Sequence, residues 1–173
     1  MDTVTGPNRT PEEQFTQLVS VHQLALLRLC YAYLQDRSLA EDAVQETFLK
    51  AYRSMDQFRG DASAKTWLSR IAINTCRDMR KSAWFRLVNR AVTPDMLPEP
   101  AVQPSEEDTE ITLTVMKLPL RLRECVLLYY FENMTTTEVA ETLHISQQAV
   151  SGRLMRARSK LRTALEGSER DGE

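Results

Sequence analysis

Three groups of residues have types and spacing suited to recognition chemistry. Arg70, Asn74, Arg77 and Lys81 recur at i, i+4, i+7 and i+11, which aligns cations and an amide along one helical ridge. Phe58, Arg59, Lys65 and Trp67 stand just ahead of that ridge. Cations that track a phosphate backbone, with aromatics to receive unstacked bases, are what a single nucleic-acid strand requires. The spacing by itself fits a solvated basic face equally well; the loop and rings at its head favour nucleic acid. The second group is Gln147, Gln148, Ser151 and Met155, on a segment that also carries Arg153, Arg156, Arg158 and Lys160. Glutamine can pair bidentately with adenine, whereas the cations suit phosphates and carry affinity without sequence choice. The third group is Asp42, Gln45, Glu46 and Leu49. Asp42 and Glu46 are like charges one helical turn apart, which costs a lone helix a few tenths of a kcal/mol. An acidic face around a leucine is either solvated or a docking surface for a basic, partly apolar partner.

The elements that must position these groups are helical. Long stretches follow a 3.6-residue period, no segment alternates convincingly, and glycines number five, so the chain reads as all-α. A first helix starts at Thr10, with Pro11 at its first position and Glu13 completing a capping box. Its stripe is Phe15, Leu18, Val19, His22, Ala25, Leu26, Leu29 and Tyr33. His22 lies on or beside that stripe, as a packed structural histidine does. A second helix runs from Ser38 to Met55, with Ser38 and Glu41 as its capping box. Its inner face is Ala40, Ala43, Val44, Thr47, Phe48, Ala51, Tyr52 and Met55. After a loop with Phe58 and Gly60, Ser63 caps a third helix with Trp67, Leu68, Ile71, Ala72, Thr75 and Met79 inward.

Pro94, Pro98, Pro100 and Pro104 then fall among acids with no periodicity, an extended acidic linker over residues 91–107. It separates two small helical domains, 10–90 and 108–166. In the second, a helix near Ser105–Leu118 precedes Pro119, which restarts the chain. Leu122, Cys125, Val126, Tyr129 and Tyr130 give another stripe, and Asn133 is a left-handed stop. Thr135 and Glu138 form a capping box. His144-Ile145 makes a tight turn, and Ser146 caps a last helix with Val150, Leu154, Ala157 and Leu161 inward. A short helix, a tight turn and a longer basic helix form the layout of a helix-turn-helix.

The net charge of −2 conceals a pattern. Residues 61–90 carry a surplus of five positive charges, residues 91–116 six acids and no base, and residues 147–163 five cations and no acid. Cys30, Cys76 and Cys125 are odd in number and far apart in sequence, which suits small buried hydrophobes of a reducing compartment better than a disulfide framework. With His22 and His144 they give no metal-ligand spacing, so neither metal nor cofactor is expected. No apolar run reaches 18 residues and there is no charged-then-apolar leader, so a cytoplasmic protein with no membrane span is expected.

These residues resemble the extracytoplasmic-function (ECF) class of bacterial sigma factors, within the sigma-70 family. Asp42-x-x-Gln45-Glu46-x-Phe48 resembles its polymerase-binding helix. Phe58-Arg59-Gly60 and Lys65-Thr66-Trp67-Leu68-x-x-Ile71-Ala72-x-Asn74 resemble its −10 recognition and melting segment. Leu118 to Phe131 and Thr135 to Leu161 resemble its −35-binding domain. The resemblance implies a non-enzymatic alternative sigma factor that directs core RNA polymerase to promoters and assists strand opening at −10. Asp42, Gln45, Glu46 and Leu49 would face the β′ clamp helices, the β subunit being a further polymerase partner. The loop from Asp56 to Lys65, with Phe58, Arg59, Lys65 and Trp67, would hold a flipped base of the single-stranded −10 element. Arg70, Asn74 and Arg77 would lie near that strand. Gln147, Gln148 and Ser151, with Met155, would read duplex DNA at −35, while Arg153, Arg156, Arg158 and Lys160 would contact phosphates. The linker would thread toward the active-site and RNA channel. An anti-sigma factor, often membrane-bound, commonly restrains this class. Three positions depart from the usual pattern: Ala64 replaces an aromatic, Ser151-Gly152 a Lys-Ser-like pair, and His144 a glycine. The reading from another class is a free-standing helix-turn-helix repressor of closed duplex DNA; a third is a helical adaptor for acidic proteins.

Overall fold

The computed structural model describes residues 9–60, 62–81 and 106–171. The chain divides into two compact units, residues 1–89 and 90–173. Of the expected linker over 91–107, only Glu106 and Glu107 fall within the described backbone, and Trp84 to Val88 lie outside it. In the first unit the described helices are α1 (Pro11–Leu34), α2 (Arg37–Arg53) and α3 (Ala64–Lys81), with a 3₁₀ turn at Met55–Gln57. Each of the three helices packs on the other two. In the second unit they are α4 (Glu106–Met116), α5 (Leu120–Val126), a π-helical turn at Leu127–Phe131, α6 (Thr136–Leu143) and α7 (Gln147–Asp171). The all-α expectation holds for the described residues.

Local chemistry sets the helix ends. α1 opens on the expected capping box: the Glu13 N–H donates to Thr10 Oγ1 at 3.3 Å, and the Thr10 N–H to Glu13 Oε2 at 3.0 Å. Its end is set by Gln35, left-handed at φ 58°, whose N–H donates to the Tyr31 carbonyl. That turn leaves Asp36 extended, so the start of α2 differs from the expected one. Asp36, not Ser38, is the N-cap, and its Oδ1 accepts from the Leu39 N–H at 2.9 Å. Ser38 is already inside the helix, and Glu41 pairs with Arg37 at 3.1 Å instead of reaching back. A carboxylate at this position also meets the positive end of the helix dipole.

The inner face of α2 is built of small residues. Ala40, Ala43, Thr47 and Ala51 have no exposed surface, and Thr47 Oγ1 bonds back to the Ala43 carbonyl at 2.6 Å. Without bulk on that ridge, α1 and α3 approach closely. Val44 and Phe48 widen it, but Tyr52 is half exposed and Met55 belongs to the 3₁₀ turn, both contrary to the sequence reading. Ala25 is likewise exposed, while the C-terminal half of α1 buries Cys30, Tyr31 and Leu34 in addition. On α3 the buried set is Ala64, Leu68, Ser69, Ala72, Ile73, Thr75 and Cys76. Trp67, Ile71 and Met79 sit at the margin of this face rather than at its centre.

The three cysteines are buried free thiols. Cys30 and Cys76, distant in sequence, meet between α1 and α3. A hydrogen bond with Cys30, together with burial, holds the Cys76 thiol well above its ordinary pKa.

In the second unit, Asn133 adopts the expected left-handed conformation at φ 55°, and His144, in the expected tight turn, is left-handed at φ 56°. Thr135 and Glu138 form their capping box, and Ser146 Oγ accepts from the Ala149 N–H at 3.1 Å. The π turn after α5 is not legible from periodicity. The Glu132 N–H reaches back five residues to the Leu127 carbonyl at 3.0 Å. That wider turn shifts the register, so Leu127 and Leu128 are buried, Tyr129 is partly buried, and Tyr130 and Phe131 face out.

The cap assignment has a direct test by urea denaturation. Asp36→Ala should lower stability by about 1 kcal/mol, whereas Ser38→Ala should stay within about 0.5 kcal/mol of the parent.

Candidate nucleic-acid interface

The outer face of α2 matches its expected composition. Asp42, Gln45 and Leu49 are exposed and Glu46 is partly so. What the sequence did not show is the neighbour of that face. A groove of about 590 Å³ runs between α1 and α2, lined by Phe15, Val19, Gln23, Val44, Gln45, Phe48, Leu49 and Tyr52. Phe15 meets Tyr52 edge-on at 5.0 Å and Phe48 at 6.2 Å. Leu49, 52% exposed, therefore belongs to an apolar strip rather than standing alone among acids. Tyr52 was misassigned because its position on the helical wheel adjoins the buried stripe. The stripe is narrow at its C-terminal end, where Phe15 of α1 fills one side only.

The loop between α2 and α3 turns at Gly60, whose φ of 78° is a conformation that side-chain-bearing residues rarely adopt. Phe58 stacks on Trp67 with centroids 4.7 Å apart and planes at 29°, which ties the loop to the first turn of α3. Ser63 caps that helix, its Oγ accepting from the Thr66 N–H at 3.1 Å. Ala64, where an aromatic is common, is buried at 4% exposure, so this sequence spends the position on packing. Phe58 and Trp67 are the aromatics at this end of the helix. Lys65, Arg70, Asn74 and Arg77 are each partly exposed, Arg59 is exposed, and Lys81 lies 3.9 Å from Asp78. The structure thus brings the whole first group onto one loop and one helix.

In the second unit, α6 and α7 are joined through left-handed His144, whose N–H serves the α6 carbonyls of Ala140 and Glu141. Gln147, Gln148, Ser151, Met155, Arg156, Arg158 and Lys160 are all exposed on α7, Met155 at 65%. Gln147 Nε2 donates to Thr137 Oγ1 at 2.7 Å. Arg158 Nε donates to the Tyr130 hydroxyl at 2.6 Å, with the guanidinium 5.8 Å from the ring centroid. An exposed glutamine pair on the first turn and cations further along match the distribution that major-groove readers use.

Two regions of this chain match known families in the order this geometry suggests: residues 18–86 match Sigma-70 region 2, and residues 108–161 match Sigma-70 region 4. The chain belongs to the sigma-70 family, in its ECF class. It is 31% identical to RNA polymerase sigma-H factor of Pseudomonas aeruginosa, over 91% of this chain and 89% of that protein. ECF RNA polymerase sigma factor SigW of Bacillus subtilis is 30% identical, over 89% of this chain and 90% of its own length. Among solved structures, CnrH in complex with the cytosolic domain of CnrY superposes with a TM-score of 0.63 at 30% identity, covering 90% of each chain. The sigma factor RpoE of Bartonella quintana, in complex with the anti-sigma factor NepR, has the same fold, with a TM-score of 0.72 at 24% identity and 88% and 96% of the two chains covered.

Arg153 of this sigma factor is placed differently from the other α7 cations. Its Nη1 lies 2.9 Å from Glu124 Oε1, with side-chain exposures of 16% and 6%. The guanidinium is turned onto α5, where it forms an internal ion pair. The reason is the buried carboxylate: Glu124 out of water needs a compensating charge. Nearby, burial pushes the Cys125 thiol up while Arg153 opposes the shift. A buried cation, Arg123, donates to the carbonyls of Met116 at 2.9 Å and Leu118 at 3.1 Å, closing the chain between α4 and α5. Sequence reasoning missed Arg123 and Glu124. The available signal was charge inside the apolar run Leu120–Leu128, where Arg123 and Glu124 stand between Leu122 and Cys125.

Removing either partner takes a short charge-assisted hydrogen bond out of a part-buried site. In urea melts of the full chain, Glu124→Ala or Arg153→Ala should destabilise the second unit by about 1.5–3 kcal/mol. Arg156→Ala, at an exposed position, should change it by less than about 0.5 kcal/mol.

Proposed function

We propose that the α2 face and its groove attach this sigma factor to core RNA polymerase, and that α3 and α7 select the promoter. The observation that carries the reading is the segregation of chemistry by helix. Acid, amide and leucine border an apolar groove on α2; cations and aromatics share the loop and α3; amides and cations share the outer side of α7.

Asp42 and Glu46 supply charge for basic residues of the β′ clamp helices. Gln45, Leu49 and the groove supply the apolar and hydrogen-bonding contact, with the β subunit as a further polymerase contact. The loop from Asp56 to Lys65 receives a flipped base of the non-template −10 strand beside Phe58 and Trp67, while Arg70, Asn74 and Arg77 follow the strand. Capturing an unstacked base offsets the few kcal/mol that unpairing costs, so binding energy drives opening. Gln147, Gln148, Ser151 and Met155 meet base edges at −35, and Arg156, Arg158 and Lys160 meet phosphates. Arg153 acts on the fold of the helix-turn-helix rather than on DNA. The acidic stretch between the units enters the path of nucleic acid toward the active-site channel. In this reading the protein works in the cytoplasm and makes no bonds; the polymerase forms the phosphodiester linkages.

An anti-sigma factor that covers these faces would hold the protein inactive. The complex of CnrH with the cytosolic domain of CnrY supports a protein partner for this fold. A free-standing repressor would leave the α1–α2 groove without an occupant, which favours the sigma reading.

Charge reversal tests the docking face. Asp42→Lys combined with Glu46→Lys should abolish binding to core polymerase in a pull-down, with the thermal melt of the full chain essentially unchanged. Unaltered polymerase affinity would show that this face is not the attachment surface.

A further inference from the structure

The helix-turn-helix contains one side-chain bond that the sequence reading does not anticipate. Thr137, second residue of α6, accepts the Nε2 hydrogen bond of Gln147, first residue of α7, at 2.7 Å. Both side chains are exposed. Both backbones are held. Thr137 lies inside the capping box of Thr135 and Glu138, and Gln147 follows the capping residue Ser146. Left-handed His144 fixes the turn between them. The bond therefore spans two anchored helix starts rather than two mobile ones.

On the reading that α7 meets base edges at −35, we propose that Thr137 is a positioning residue that sets the base preference of Gln147. The chemistry follows from the amide. Its nitrogen carries two N–H groups, and the Thr137 hydroxyl occupies one. The second N–H and the Oε1 carbonyl remain as an adjacent donor and acceptor. Adenine presents the matching pair in the major groove, the N7 acceptor beside the N6 donor. A glutamine free to rotate about its side-chain torsions presents its donor or its acceptor to any base and loses rotamer freedom when it binds. A glutamine tethered through one N–H keeps a single amide orientation and rejects bases that need two donors. Thr137 touches no base in this scheme; it acts through Gln147.

The test uses polymerase holoenzyme assembled with the full chain and a pool of duplex promoters randomised across −35, with retained sequences read by deep sequencing. Four proteins are compared: the parent, Gln147→Ala, Thr137→Val and Thr137→Ser. The parent should prefer adenine at one position, and Gln147→Ala should erase that preference. Thr137→Val removes the hydroxyl while keeping the shape and the capping box. It should reduce the preference at that same position by roughly three- to tenfold and leave the other positions unchanged. Thr137→Ser, which keeps the hydroxyl, should restore the parent profile.

If Gln147→Ala erases the preference while Thr137→Val keeps it, the positioning role is wrong and base reading by Gln147 stands. If Gln147→Ala leaves the profile intact, base reading by Gln147 fails and the positioning role with it. A uniform loss of binding across all positions in Thr137→Val would also overturn the proposal, since it would assign Thr137 to a phosphate or to the fold.

Discussion

Close packing along one small-residue ridge governs the first unit. Ala40, Ala43, Thr47 and Ala51 place no bulk between α2 and its neighbours, so three helices share a core with Leu68, Ala72 and Ile73 fully buried. A cylinder packed this closely on one side has its opposite side fixed in direction. Asp42, Gln45 and Leu49 face outward as a consequence, and so does the groove that Phe15 and Tyr52 complete. The same packing orients α3, whose cations and amide occupy the edge left after Leu68, Ala72, Thr75 and Cys76 turn inward. The exposed chemistry of α2 and α3 is what the core leaves over, and the core is tight enough to leave little choice.

The second unit reaches a similar result by different means. Its core includes two charges, Arg123 and Glu124, both about 5% exposed. Arg123 is held by carbonyls at the end of α4, and Glu124 by Arg153 of α7. A buried ion pair is not a large net source of stability, because desolvation offsets much of the attraction. Its geometric demand is strict, however, since misregister of α7 on α5 would part the Glu124 carboxylate from Arg153. The pair thus specifies the register that points Gln147, Gln148 and Ser151 outward.

Much of this was legible in the sequence, and the limits have physical causes. Caps that depend on local spacing were readable: Thr10 with Glu13, Thr135 with Glu138, and the left-handed stop at Asn133 all stand where the residue types place them. The start of α2 was misread because Asp36 and Ser38 are both competent caps, and the choice was made by the preceding left-handed Gln35. The faces of Tyr52 and Tyr130 were misread for another reason. Periodicity assumes one regular helix meeting one broad neighbour, whereas Tyr52 lies where the core narrows and Tyr130 follows a π turn. Arg153 shows the same limit for charge: spacing marked a cation among cations, but only Glu124, 29 residues away, shows which of them is internal.

The most direct test of promoter selection by this chain is transcription reconstituted from purified components. The chain is mixed with core RNA polymerase and a library of promoter fragments, and the transcript starts are sequenced. Starts are expected downstream of a shared pair of sequence elements, present with the chain and absent with core polymerase alone. No complex and no transcripts, together with tight binding of the unaided chain to closed duplex, would contradict it.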